Sequence, residues 1–156
     1  MINSTISGNG ADAGASAGGV SVVYEARAKI DSTTIVGNGT KSGGGEVYAD
    51  PDGSIVQSSI LLHNSIIAGG ACGKDTGLTS RGGNVVEDPS GCSGLQDSDV
   101  VADPRLGRFA KHGGRTPSHS LRPGSPAIGN ATKPFRKADQ RGVRRDGDPD
   151  SGSFER

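Results

Sequence analysis

The chain of 156 residues has no tryptophan, only two Tyr and three Phe, a single Met, and hydrophobic residues amounting to 31%. A closed globular core of ordinary size needs more apolar bulk than this, so its core must be thin. No stretch approaches the ~18 apolar residues of a membrane-crossing helix. Met1-Ile2-Asn3 opens without the basic segment, apolar run or cleavage site of an export signal. The formal net charge is zero, yet residues 1–100 hold five Lys/Arg against eleven Asp/Glu and residues 101–156 hold twelve against six. Opposite halves of this kind either attract each other within one fold or offer a basic end to a polyanion. No aromatic residues interleave with the basic run, which argues against single-stranded nucleic acid as the partner.

What the chain does have is repetition. Ser4-Thr5-Ile6-Ser7-Gly8-Asn9 returns as Thr33-Thr34-Ile35-Val36-Gly37-Asn38, and in weaker form as Ser65-Ile66-Ile67-Ala68-Gly69-Gly70. Ile6, Ile35 and Ile67 lie 29 and then 32 residues apart, a period that belongs to stacked repeats. A solenoid also reconciles the 27 Gly and 8 Pro with order, because each repeat adds only a thin slice of core. From Val20 to Asp31 apolar and polar residues alternate, which predicts strand despite the helix-favouring Tyr-Glu-Ala-Arg. Gly43-Gly44-Gly45, Asp50-Pro51-Asp52-Gly53, Ser54-Ile55-Val56 and Ser59-Ile60-Leu61-Leu62 repeat the same plan of short strands and tight corners.

Stacking in parallel would place Ile6, Ile35 and Ile67 about 4.8 Å apart and let Asn9 and Asn38 form a ladder at the corner. The repeat fades after residue 70. We therefore expect residues 1–70 to form the coils of an all-β, right-handed, single-stranded parallel β-helix. Residues 71–156 should supply the last coil or coils and an irregular C-terminal cap, with Leu106, Phe109, Leu121, Ile128, Val143 and Phe154 as pegs that close its end. Because Met1 opens directly on a repeat, the chain reads as part of a longer exported protein.

Cys72 and Cys92 fit no CxxC pattern and make a poor zinc site. They are either a disulfide closing a loop of about 20 residues, contributing ~3 kcal/mol on the chain-entropy account, or two free thiols in a reducing compartment.

The motifs Asn64-Ser-Ile-Ile-Ala-Gly69, Gly83-Asn84-Val85-Val86, Ala102-Asp-Pro-Arg-Leu-Gly107, Leu121-Arg-Pro-Gly-Ser-Pro-Ala-Ile128, Asp139-Gln-Arg-Gly142 and Gly152-Ser-Phe-Glu155 occur in that order. In this they resemble the choice-of-anchor Q domain, while the Ile repeats resemble the coils of bacterial surface proteins related to the polymorphic outer membrane proteins. The resemblance implies a secreted or surface-displayed bacterial protein with a fold similar to pectate-lyase-like enzymes, without implying a reaction. It also implies a disulfide between Cys72 and Cys92.

Candidate chemistry is sparse. Asp139 and Arg141 could clamp a sugar acid, but an ion pair closing the structural cap is the simpler role. Asp146, Asp148 and Asp150 alternate on a short turn suited to calcium, although the spacing does not match an EF-hand loop. Arg136, Lys137, Arg141, Arg144 and Arg145 form the basic cluster that a polyanion would meet. Tyr24 and Tyr48 could stack, one from each coil. His63, His112 and His119 share no ligand spacing, and adjacent Ser118-His119 is no sign of a nucleophile. The expected function is a non-catalytic structural or adhesive module that binds polysaccharide or partner proteins at the cell surface. The alternative is a polysaccharide lyase or hydrolase, which would reveal itself by two or more carboxylates and a base in one groove.

Overall fold

A computed structural model describes residues 1–10, 17–39, 45–50, 57–74 and 76–156. The expected turn at Asp50-Pro51-Asp52-Gly53, the run Ser54-Ile55-Val56 and the glycines Gly43-Gly44 include residues outside that set.

The first pass of the chain lays down β1 (Thr5–Ser7), β2 (Ala17–Val22) and β3 (Arg27–Asp31). The second repeats it as β4 (Thr34–Val36), β5 (Gly45–Ala49) and β6 (Ser59–His63), followed by β7 (Ile66–Ala68), β8 (Leu78–Ser80), β9 (Val85–Val86) and β10 (Val100–Val101). Three parallel sheets result, ordered β1-β4-β7-β9-β10, β3-β6-β8 and β2-β5. Among the described strands, only β11 (Leu106–Ala110) and β12 (Ser118–Leu121) pair antiparallel. The described residues contain no helix, so the chain is all-β and mostly parallel.

The isoleucine spacing predicts the register. Ile6 pairs with Ile35 and Ile35 with Ile67, and the rung continues through Val86 to Val101. Stacking therefore outlasts the visible repeat. Ile67 and Val86 lie 19 residues apart and Val86 and Val101 only 15, so the later passes are too short to look like the first two.

Ile35, Ile67 and Val86 point to one side of the five-stranded sheet and join Ile30, Val47, Ile60, Leu62 and Leu78 in one buried core. Burying each such side chain is worth about 1.5–3 kcal/mol. The bends recur as well. Gly8, Gly37 and Gly69, each two residues after the rung isoleucine, all have positive φ, and so do Asn3, Ser32 and Asn64, each three residues before it, and Gly83, three before Val86. Asn tolerates this left-handed backbone better than most residues.

At the corner Asn38 is fully buried. Its Oδ1 accepts from the Asn9 Nδ2 and backbone N–H, both at 3.0 Å, and its Nδ2 donates to Ile6 O at 3.0 Å and Glu46 Oε2 at 2.9 Å.

The expected single strand from Val20 to Asp31 is instead β2, a corner, and β3. Tyr24 and Glu25 carry φ of 55° and 59°, and Ala26 N donates to Val23 O at 3.3 Å. The period of two carries through because a tight turn between two half-buried strands preserves it. In consequence Tyr24 is 89% exposed, and register places Ser21, not Tyr24, beside Tyr48, so the expected tyrosine stack is absent.

The C-terminal segment also sits elsewhere than expected. It does not close the end of the stack, where Val101 remains 54% exposed. It lies along the outer side of the five-stranded sheet, where Ile66, Ala68 and Val85 pack with Leu121, Ala127 and Phe154 in a second buried cluster. The Ser153 hydroxyl meets Thr5 Oγ1 at 2.8 Å and Thr34 Oγ1 at 3.1 Å, Gly152 N donates to Asn64 O at 2.8 Å, and Ser151 Oγ donates to Gly83 O at 2.6 Å. One short strap thereby touches four successive passes. The physical reason is the outer face itself: Ile66 and Val85 are apolar on both sides of their strands and need a cover. Of the expected pegs, Leu106, Leu121 and Phe154 pack there, whereas Phe109, Ile128 and Val143 stay exposed.

Candidate functional site

Cys72 and Cys92 form a disulfide with Cα atoms 5.1 Å apart, joining two successive passes. Both lie in the main core beside Val47 and Leu78. Such bonds form and persist in oxidising compartments.

Asp139 is buried and fully employed. Its Oδ1 accepts from Arg141 N at 2.8 Å and Val143 N at 3.0 Å, and its Oδ2 from Arg141 Nε at 2.8 Å and Glu155 N at 3.0 Å. The Arg141 guanidinium also donates to Glu155 O and lies 3.7 Å from the Phe154 ring centre. These bonds pin the last residues of the strap and engage both Asp139 oxygens within the fold.

The expected basic cluster is divided: Lys137, Arg144 and Arg145 line one hollow together with Asp146, whereas Arg136 and Arg141 are held by carboxylates elsewhere. Arg145 is buried and donates to Asp150 O at 2.7 Å, Gly152 O at 2.6 Å and Glu155 Oε2 at 2.8 Å. Arg136 reaches Asp31 at 2.6 Å and Arg141 reaches Asp139. A buried guanidinium needs a counter-charge and acceptors, so Arg136, Arg141 and Arg145 serve internal cohesion, while Lys137 and Arg144 are exposed and make no ion pair among the described residues.

Asp146, Asp148 and Asp150 do not converge either. Asp150 is buried and accepts from Gly129 N and Arg156 N, at 2.9 and 2.8 Å, while Asp146 accepts from Asp148 N at 2.8 Å. Among the described residues no three His, Cys, Asp or Glu side chains form a group able to hold a metal ion. Among the described residues no helix is long and apolar enough to cross a membrane.

One polar cleft is passed over by motif reading. It has a volume of about 440 Å³ and is lined by Lys29 and Asp31 of β3, His63 of β6, Arg81 just after β8, Gln96, and Lys133 to Arg136 of the C-terminal segment. Register explains the convergence, since Asp31 and His63 are paired positions on neighbouring strands. Asp31 receives Arg136 Nη2 at 2.6 Å and Nε at 2.9 Å. Burial holds the His63 imidazole below its ordinary pKa, against the pull of Asp31 and with the help of Lys29, Arg81 and Arg136.

Thr132 Oγ1, His63 and Asp31 follow one another as hydroxyl, imidazole and carboxylate, but not as a working relay. His63 Nδ1 is 3.8 Å from Asp31 Oδ1, beyond hydrogen-bond reach, and Thr132 Oγ1 also donates to Asn64 Oδ1 at 3.3 Å. The remaining histidines are structural. His119 bonds Ser7 Oγ and Gly107 O, both at 2.8 Å, and stacks on Phe109, while His112 meets the Phe154 ring edge-on.

A second, more open cleft of about 320 Å³ continues the first along the outer side of β3-β6-β8, lined by Arg27, Lys29, Ser59, Leu61 and Thr79 among others. Two further hollows lie elsewhere on the surface, one of about 300 Å³ formed by Asn3, Ser4, Thr5, Phe109, Thr116, Pro117 and Gln140, and one of about 550 Å³ formed by Phe135, Lys137, Arg144, Arg145 and Asp146. Each of these four clefts holds at most one carboxylate.

Comparison with known proteins adds no relative: no family model, no curated protein and no solved structure matches this chain.

Proposed function

We propose that the three parallel sheets are the walls of a right-handed, single-stranded parallel β-helix, and that the chain is a non-catalytic structural or adhesive module of an exported bacterial surface protein, of the choice-of-anchor Q kind. The observation that carries this reading is the rung Ile6–Ile35–Ile67–Val86–Val101, which adds one strand per pass in strict chain order. Parallel strands joined in this way are right-handed in about 98% of cases. The disulfide suits export, and the strap along the outer sheet suits a module that must hold its shape outside the cell.

Non-catalytic binding of a surface polymer agrees with how the polar groups are used. Of the buried carboxylates, Asp31, Asp139 and Glu155 are each tied to an arginine, Glu46 is held by Asn38 and Asp150 by backbone N–H groups, and none of the four clefts pairs two carboxylates with a base. A lyase or hydrolase needs such a group free within reach of the bond it breaks. The test is incubation of the protein with a panel of acidic and neutral polysaccharides, scoring both retention and the release of reducing or unsaturated ends. Retention of at least one polymer without new ends is expected. Release of ends that is abolished by a single substitution in a cleft would overturn the reading in favour of an enzyme.

A further inference from the structure

Of the five Lys/Arg in the otherwise acidic residues 1–100, three (Arg27, Lys29 and Arg81) line the two contiguous clefts on the outer side of β3-β6-β8. Lys133 and Arg136 join them from the C-terminal segment. Arg136 is spent on Asp31, the one carboxylate that lines either cleft. Lys29, Arg81 and Lys133 are exposed and make no ion pair or side-chain hydrogen bond among the described residues. Gathering unpaired cations on one face does not favour folding, because they repel one another. Among the described residues the strap covers the neighbouring outer face, of the five-stranded sheet, whereas this face remains open.

We propose that this face binds an oxyanion-bearing glycan, with Lys29, Arg81 and Lys133 taking the carboxylate or sulfate groups and Gln96 the hydroxyls. The proposal rests on the polymer-binding reading above and names its ligand class. Arg81 offers the planar fork that matches an oxyanion with two bonds, while the two lysines act as point charges. Two clefts meeting at Lys29 suit a chain of a few sugar units more than an isolated ion. Nucleic acid is a poorer fit, since the cations occupy one patch and no row of exposed aromatic rings lines it to stack bases.

The experiment is calorimetric titration of the whole chain with three hexasaccharides, one sulfated and derived from heparin, one carrying uronate carboxylates alone and derived from hyaluronan, and one neutral and derived from cellulose. A single-stranded DNA of matched charge is the fourth ligand. At least one acidic hexasaccharide should bind, with affinity falling as salt rises, and the neutral one should not. Which of the two binds identifies sulfate or carboxylate as the anion. The triple variant Lys29→Ser, Arg81→Ser, Lys133→Ser should lose at least tenfold in affinity with unchanged thermal unfolding, whereas Lys137→Ser, Arg144→Ser should bind as the parent does. Equal loss in both variants, tighter binding of DNA than of any glycan, or no binding of either acidic glycan would overturn the proposal. None of these outcomes bears on whether polymer is cleaved, which tests the non-catalytic reading separately.

Discussion

Replacing Gly152 with alanine probes the strap where it presses hardest on the sheet. Gly152 has φ of 90°, and a Cβ there would stand 2.7 Å from both Ile66 Cδ1 and Thr34 Oγ1. Ile66 is fully buried, and Thr34 Oγ1 is held by the Ser153 N–H and hydroxyl at 3.1 Å, so neither can yield freely. The left-handed backbone costs an L-residue roughly 1–2 kcal/mol. Overpacking a filled site adds about 1–3 kcal/mol. Gly142 supplies the control, because its φ is 86° and a Cβ there would meet nothing within 4 Å. Gly142→Ala should therefore lose only the backbone part, and Gly152→Ala about 2–5 kcal/mol. Urea unfolding of the two variants beside the parent measures the difference. Equal losses would show that the strap does not rest on the outer face, and the placement of the second buried cluster would fall with it.

Three other outcomes follow from the same contacts. Reducing the Cys72–Cys92 bond, which spans 20 residues of sequence, should lower stability by ~3 kcal/mol in a thermal melt with and without reductant. Asn38→Ala should cost about 1–3 kcal/mol by leaving buried partners of the corner ladder unpaired, whereas Asn9→Ala, nearer the surface, should cost less in the same urea assay. The folded-state pKa of His63 lies below its ordinary 6.5, so its contribution is complete above pH 6.5 and is lost as the pH falls below that value. Glu46 acts in the opposite sense, because burial raises its pKa above 4.5: its contribution is complete below pH 4.5 and declines as the pH rises through the folded value. His63→Asn should flatten the stability profile just below pH 6.5, and an unchanged slope there would place the imidazole in solvent.

The rung was legible because Ile6, Ile35 and Ile67 keep both their chemistry and a nearly constant spacing, and the Asn9–Asn38 ladder was legible for the same reason. The later passes were hidden because Val85-Val86 and Val100-Val101 are two-residue strands separated by 15 residues, shorter than any period that self-comparison picks up. The corner at Tyr24-Glu25 escaped because neither residue announces a positive φ. The strap was misplaced for a different reason: its pegs show in the sequence, but the surface they fit is set by the outward residues Ile66 and Val85, whose apolar character reads equally well as core. The cationic face was invisible since Lys29, Arg81 and Lys133 lie more than a hundred residues apart from first to last and meet only through strand register. The basic run in residues 136–145, which does catch the eye, is largely consumed by Asp31, Asp139 and Glu155.

The most direct test of the stacked rungs is a methyl-resolved nuclear Overhauser spectrum of protein labelled only at isoleucine. Inter-strand contacts linking Ile6 to Ile35 and Ile35 to Ile67, and Ile67 to Val86 once valine is labelled too, are the predicted result. A spectrum in which Ile35 shows contacts to neither Ile6 nor Ile67 would contradict it.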